Sequence, residues 1–157
     1  MYMGNPRYKK ETTLLSGVYR MAKIEWDNSL SIGVKIIDEQ HIMLIQQLSD
    51  LSRAIEMSQG EAETAKTLDF MVDYTDFHFS TEEKHMMEQN YPGLEHQKQQ
   101  HAEFKSHLKQ LVEDFEEEGP TKALGTSINV FLLNWLTKHI KGVDLKFGEF
   151  LNEKGLF

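Results

Sequence analysis

Four stretches of this chain repeat apolar residues every three or four positions, and each carries histidine or carboxylate on that same seam. The first seam reads Ile37, His41, Leu44, Leu48, Leu51, Ile55, and the second Leu68, Met71, Thr75, His78, Glu82, His85. The third reads Gln97, His101, Phe104, Leu108, Leu111, Phe115, and the fourth Ile128, Leu132, Trp135, His139. Such spacing makes one face of a helix, and the alternation that a strand needs is absent. Gly60, Tyr91-Pro92-Gly93 and Gly119-Pro120 interrupt the pattern and read as turns. Helices are therefore predicted over 36–59, 62–90 and 94–118, with a fourth starting near Thr121. Short connections between long helices imply an all-α, antiparallel up-down four-helix bundle. Residues 24–35 read as an arm across the bundle end, anchored by Trp26. Residues 1–22 are polar and aperiodic, so a loosely ordered N-terminal extension is expected ahead of a bundle spanning 23–157, and Met21 offers an alternative start.

The polar seam residues carry the chemistry. Histidines and carboxylates are seldom aimed at a core unless they bind something there. His41, His78, Glu82, His85, His101, His139 and Asp144 are the candidate ligands of a metal pair. Imidazole and carboxylate suit iron, manganese or zinc. A carboxylate can bridge two ions through its two oxygens, whereas an imidazole nitrogen ends at one, so Glu82 and Asp144 are the candidate bridges. His78 and Glu82 lie one turn apart on one face, as do Glu82 and His85. His139 and Asp144 do not share a face of a regular helix, and the expectation is that Asp144 lies at or past a helix end near Gly142. His107 falls off the seam and Glu83 is expected to face solvent. The methionines Met43, Met57, Met71, Met86 and Met87 read as packing residues.

Composition narrows the classes. A length of 157 residues suits one domain. A net charge of −8 argues against nucleic acid or an anionic membrane as partner. The absence of cysteine excludes disulfides and thiolate metal sites, leaving nitrogen and oxygen donors for any redox centre. No apolar run approaches the roughly 20 residues of a membrane span, and the N-terminus has no signal-peptide core. A cytoplasmic location is expected.

Several stretches together resemble the hemerythrin family, in particular its single-domain bacterial members. They are W-D-N-S-L-S-I-G-V from Trp26, I-D-E-Q-H ending at His41, H-F-S-T-E-E from His78, Y-P-G-L from Tyr91, H-A-E-F from His101 and N-W-L-T-K-H-I-K-G-V-D from Asn134 to Asp144. The resemblance spans about residues 24–152. It implies a non-heme di-iron centre, two Fe2+/Fe3+ ions with an oxo or hydroxo bridge, that binds dioxygen reversibly. His41 and His78 would hold the iron with an open position, His101 and His139 the other, and Glu82 and Asp144 would bridge both. Leu44, Phe79, Trp135 and Leu136 match the apolar oxygen pocket.

One position departs from the family pattern, which has a histidine four residues before His101. Here that residue is Gln97. His96, five residues from His101, points about 140° away in a regular helix. His85 is the expected replacement ligand, with Gln97 hydrogen-bonding from outside the ligand set. Coordination by the Gln97 amide oxygen, or by His96 through a bulge, are the alternatives. The leading function is oxygen carriage, storage or sensing without enzymatic turnover. The rivals are a di-iron oxidase, peroxidase or nitric oxide enzyme, and an iron store.

Overall fold

The computed structural model describes residues 25–57, 60–119 and 121–156. The expected extension over 1–22 lies outside them. Four helical rods form the body: α1 (Lys35–Glu56), α2 (Glu61–Glu88), α3 (Leu94–Glu118), and a last rod made of α4 (Lys122–His139), a wide turn (Ile140–Asp144) and α5 (Leu145–Glu153). Each rod packs against its two neighbours in a ring, α1 on α2, α2 on α3, α3 on α4 and α4 on α1. This is the up-down arrangement, and no strand occurs among the described residues.

The seams explain the packing. Leu48, Leu51, Leu68, Leu108, Ile128 and Leu132 are fully buried, one or two from each rod. Each such side chain contributes about 1.5–3 kcal/mol over an exposed one. These residues fill the half of the bundle away from the turn between α2 and α3. The other half buries His41, His78, Glu82, Gln97, His101, His139 and Asp144 instead. The start of α1, the end of α2, the start of α3 and the end of α4 all meet there, because alternate rods run in opposite directions.

Helix ends follow local chemistry. Thr121 caps α4, its Oγ1 accepting from the Leu124 amide at 3.2 Å. Gly119 ends α3 at φ 75°, a conformation that costs glycine little. The last rod departs from expectation. It does not stop near Gly142 but continues to Glu153, with Ile140–Asp144 widened into a π-helical turn. An i→i+5 turn returns position 144 to the side of position 139, which a regular helix could not do.

The arm is fixed by Asp38. Ser31 Oγ donates to Asp38 Oδ2 at 2.6 Å and the Ile32 amide donates to Oδ1 at 2.9 Å. Trp26 is partly buried against the core. Where the arm crosses α5, a Cβ on Gly148 would overlap the Ile32 carbonyl. Alanine in a helix is intrinsically better than glycine by about 1 kcal/mol, but here the obstacle is backbone held by Asp38. Gly148→Ala is therefore expected to destabilise the fold by about 1–3 kcal/mol, measured by denaturant unfolding, whereas a neutral or stabilising result would mean the arm is not held in this position.

Candidate metal centre

Four imidazoles and two carboxylates converge in the polar half. His41 comes from α1, His78 and Glu82 from α2, His101 from α3, His139 from the end of α4 and Asp144 from the wide turn. Their ligand atoms form two groups that share Glu82: His41, His78 and Glu82 in one, and Glu82, His101, His139 and Asp144 in the other. His41 Nε2 stands 3.3 Å from Glu82 Oε1 and 3.2 Å from Asp144 Oδ2. His78 Nε2 is 3.1 Å from Glu82 Oε1. On the other side, His101 Nε2 is 3.2 Å from Glu82 Oε2, and His139 Nε2 is 3.0 Å from Asp144 Oδ1. Each carboxylate thus offers one oxygen to each pair of histidines.

Three of the imidazoles are held from behind. The Nδ1 atoms of His78, His101 and His139 face Gln40 Oε1 at 2.8 Å, Glu83 Oε1 at 2.8 Å and Gln100 Oε1 at 3.0 Å. An oxygen acceptor fixes the proton on Nδ1 and leaves the Nε2 lone pair directed inward. The Nε2 atoms of His101 and His139 then confront each other at 3.2 Å. Two lone pairs at that distance repel unless a cation lies against them.

Unmet bonding supports a cation fit. Both ring nitrogens of His41, both oxygens of Glu82, Asp144 Oδ2 and Gln97 Oε1 are buried without a hydrogen-bond partner. Leaving so many groups unsatisfied would cost roughly 1–3 kcal/mol each. The donor set, with nitrogen terminal and carboxylate oxygen shared, suits two first-row divalent metal ions.

Electrostatics points the same way. Burial works against a charge on His41, but its interactions with the Asp144 and Glu82 carboxylates outweigh it and raise its pKa to about 9. For His101, burial is likewise outweighed, by Glu82 and then Glu83, and its pKa is raised. Burial would push the Glu82 carboxyl up, but the charge of His78 and the close approach of the His101, His41 and His78 imidazoles hold it well below the usual carboxylate range. Asp144 is lowered too, its burial and the nearby Glu82 being overcome by His139 and His41. Without metal the cluster holds protons in the place of cations.

The sequence expectations and the geometry part company at two residues, His85 and Glu83. His85 is half-buried and belongs to neither ligand group. The buried seam of α2 passes from Glu82 to Met86, about 40° around the helix, while His85 lies about 60° to the other side. Gln97 fills the space instead, fully buried, with its Nε2 donating to Asp144 Oδ1 at 2.9 Å. His96 is exposed and meets only the Gln100 amide, at 3.4 Å. Glu83 does not simply face solvent, since it accepts from His101. Gln40 and Gln100 give no site signal of their own in the sequence, and Glu83 reads there as solvent-facing, because each lies one residue off a seam. Their adjacency to His41, Glu82 and His101 is the only signal they give.

Phe79, Trp135, Leu44 and Leu136 line one apolar cavity together with Leu48, Met71, Thr75, Phe104 and Leu132. Phe79 stacks on His101 at 3.7 Å between ring centroids, and Trp135 on His139 at 4.3 Å. The cavity therefore lies against the cluster.

Three outcomes are expected. Because His41 holds its proton up to about pH 9 without metal, metal uptake near neutrality should release protons and affinity should rise with pH until about 9. The metal-free fold should behave oppositely. Its His41 contribution is complete below pH 6.5 and lost as pH rises through about 9, whereas the Glu82 and Asp144 contributions are lost as pH falls into acid. Calorimetry in buffers of different ionisation enthalpy reads the proton count, and a zero count would contradict this charge arrangement. His85→Leu should leave the metal content per chain unchanged while His139→Leu lowers it, and a metal loss in His85→Leu would restore His85 as a ligand.

Comparisons with known proteins agree with this geometry. The family described as "Hemerythrin HHE cation binding domain" matches residues 32–151. A bacteriohemerythrin of Stenotrophomonas maltophilia is 32% identical over 129 residues, covering 82% of each chain. A myohemerythrin of Theromyzon tessulatum is 29% identical over 123 residues, covering 78% of this chain and 89% of that one. A solved structure of a point mutant superposes with a TM-score of 0.74 at 25% identity, over 82% of this chain and 97% of the other. Fold, buried donor set and sequence agree that the chain belongs to the hemerythrin family.

Proposed function

We propose that this protein binds dioxygen reversibly at a pair of iron ions held by His41, His78, Glu82, His101, His139 and Asp144, with Gln97 beside them. The observation that carries the reading is a buried set of four imidazoles around two carboxylates, backed through Phe79 and Trp135 by an apolar cavity. When bound, the iron pair supplies both the electrons and the coordination position with which dioxygen is taken up and given back. The two halves of the site differ in their protein donors. His41, His78 and one oxygen from each carboxylate face one half. The other half has two histidines, the remaining carboxylate oxygens and the Gln97 head group. The half at His41 and His78 has the fewer protein donors, so it is the half where dioxygen would bind.

The surrounding residues serve containment. The cavity measures about 10 Å³, room for a single water-sized molecule. Its walls are apolar except for Thr75, so water and protons reach it poorly. Excluding them slows the irreversible loss of a reduced oxygen species and favours release of the gas unchanged. This lining favours a carrier, store or sensor over an oxidase or peroxidase, which needs a proton donor at the reacting oxygen. No described helix is long and apolar enough to cross a membrane, and a cytoplasmic site of action fits the reading.

Anaerobic loading with Fe2+ followed by a dioxygen titration tests the proposal. Near-ultraviolet and visible absorption bands should appear with the gas and bleach when it is removed, through repeated cycles. A single irreversible passage to a ferric spectrum would favour the redox-enzyme reading instead.

A further inference from the structure

Gln97 is fully buried, and its amide oxygen has no hydrogen-bond partner. The orientation of that amide is set by its neighbour. Asp144 is a carboxylate and can only accept, so the group 2.9 Å from its Oδ1 must be the Gln97 N–H. The Oε1 atom, on the same amide carbon, is left beside the ligand cluster with its lone pairs unused. Gln97 lies one turn before His101 on α3 and bonds the carboxylate oxygen that His139 Nε2 also approaches. It therefore belongs to the half of the site built by His101 and His139, and nothing else in that half answers its oxygen.

We infer that Gln97 is itself a ligand, supplying its amide oxygen to the metal held by His101 and His139 while its N–H fixes Asp144. The inference rests on the metal-pair reading above and deepens it. An amide oxygen is a neutral, hard donor that binds first-row divalent ions more weakly than imidazole does. The two metal positions are consequently unequal in donor set, and the hold on the His101 and His139 ion depends on the donor at position 97. The retention of that ion would follow the chemistry of residue 97, while the His41 and His78 ion would be indifferent to it. Neither nearby histidine competes for the place of Gln97: His85 stands outside both ligand groups and His96 is exposed.

The test uses the whole protein loaded with Co2+, whose visible spectrum reports donor number and type, followed by release to a chelator. Wild type should bind two equivalents of Co2+ and release each at its own rate. Gln97→His should slow one of the two phases by about 10–100-fold, and Gln97→Met, which keeps the volume but removes the oxygen, should accelerate that same phase by a similar factor or abolish that equivalent, with the other phase unchanged. Both should alter the Co2+ spectrum of that one equivalent only. Unchanged release and spectra in both variants, with two Co2+ still bound, would overturn the inference and leave the metal-pair reading standing. Failure of the wild type and Gln97→His alike to hold a second ion would overturn both. Gln97→Glu separates the two roles of the amide: it keeps an oxygen but loses the N–H to Asp144, so retention of the second ion with a shifted spectrum supports ligation. Its release matching Gln97→Met would mean that only the hydrogen bond to Asp144 matters.

Discussion

Everything in the polar half of this bundle depends on four imidazole nitrogens aimed at two buried carboxylates. Such a cluster is unfavourable in a protein interior unless positive charge sits within it. Protons can supply that charge, which is why His41 and His101 hold theirs so firmly while Glu82 and Asp144 stay ionised. Protons satisfy the arrangement poorly, however, because several ligand atoms remain without hydrogen bonds. A pair of metal ions would satisfy it better.

The apolar half makes the cluster tolerable. Leucine and isoleucine seams at the far end of the bundle supply burial energy that the polar half cannot, and they hold the rods in register. The register then sets which ligand meets which. The wide turn after His139 is the clearest case. Without it Asp144 would face away, and one of the two shared carboxylates would be missing. Asp38 and Gly148 do comparable service for the arm, which locks the start of α1, and so His41, to α5.

The partners behind the histidines differ in kind. His78 and His139 rest on neutral glutamine oxygens, whereas His101 rests on a carboxylate. A carboxylate behind an imidazole makes that imidazole a stronger donor. His101 thus has electron-rich support in the half of the site where Gln97 stands in place of the family's histidine. The substitution and the support lie in the same half of the site.

Much of this was legible in the chain. The helical periods, the turns at Gly60, Tyr91-Pro92-Gly93 and Gly119, and the place of His41, His78, Glu82, His101 and His139 on the seams follow from spacing, because a helix face is a local property. The motif resemblance identified the family for the same reason, through short runs of residues. What spacing could not decide was anything depending on contact between rods. The choice of Met86 over His85 for the buried seam turns on a few tens of degrees of helix rotation, set by neighbouring helices. The continuation of the last helix through Gly142 depends on Asp144 being held by His41 and Gln97 from other rods. Gln40, Glu83 and Gln100 acquire their roles only because imidazoles from elsewhere in the bundle, or from the opposite side of it, come to rest on them. The sequence alone determined which residues line up along each helix. Only the tertiary structure decided which atoms those residues face, since distances between helices are fixed by packing and leave no periodic trace in the chain.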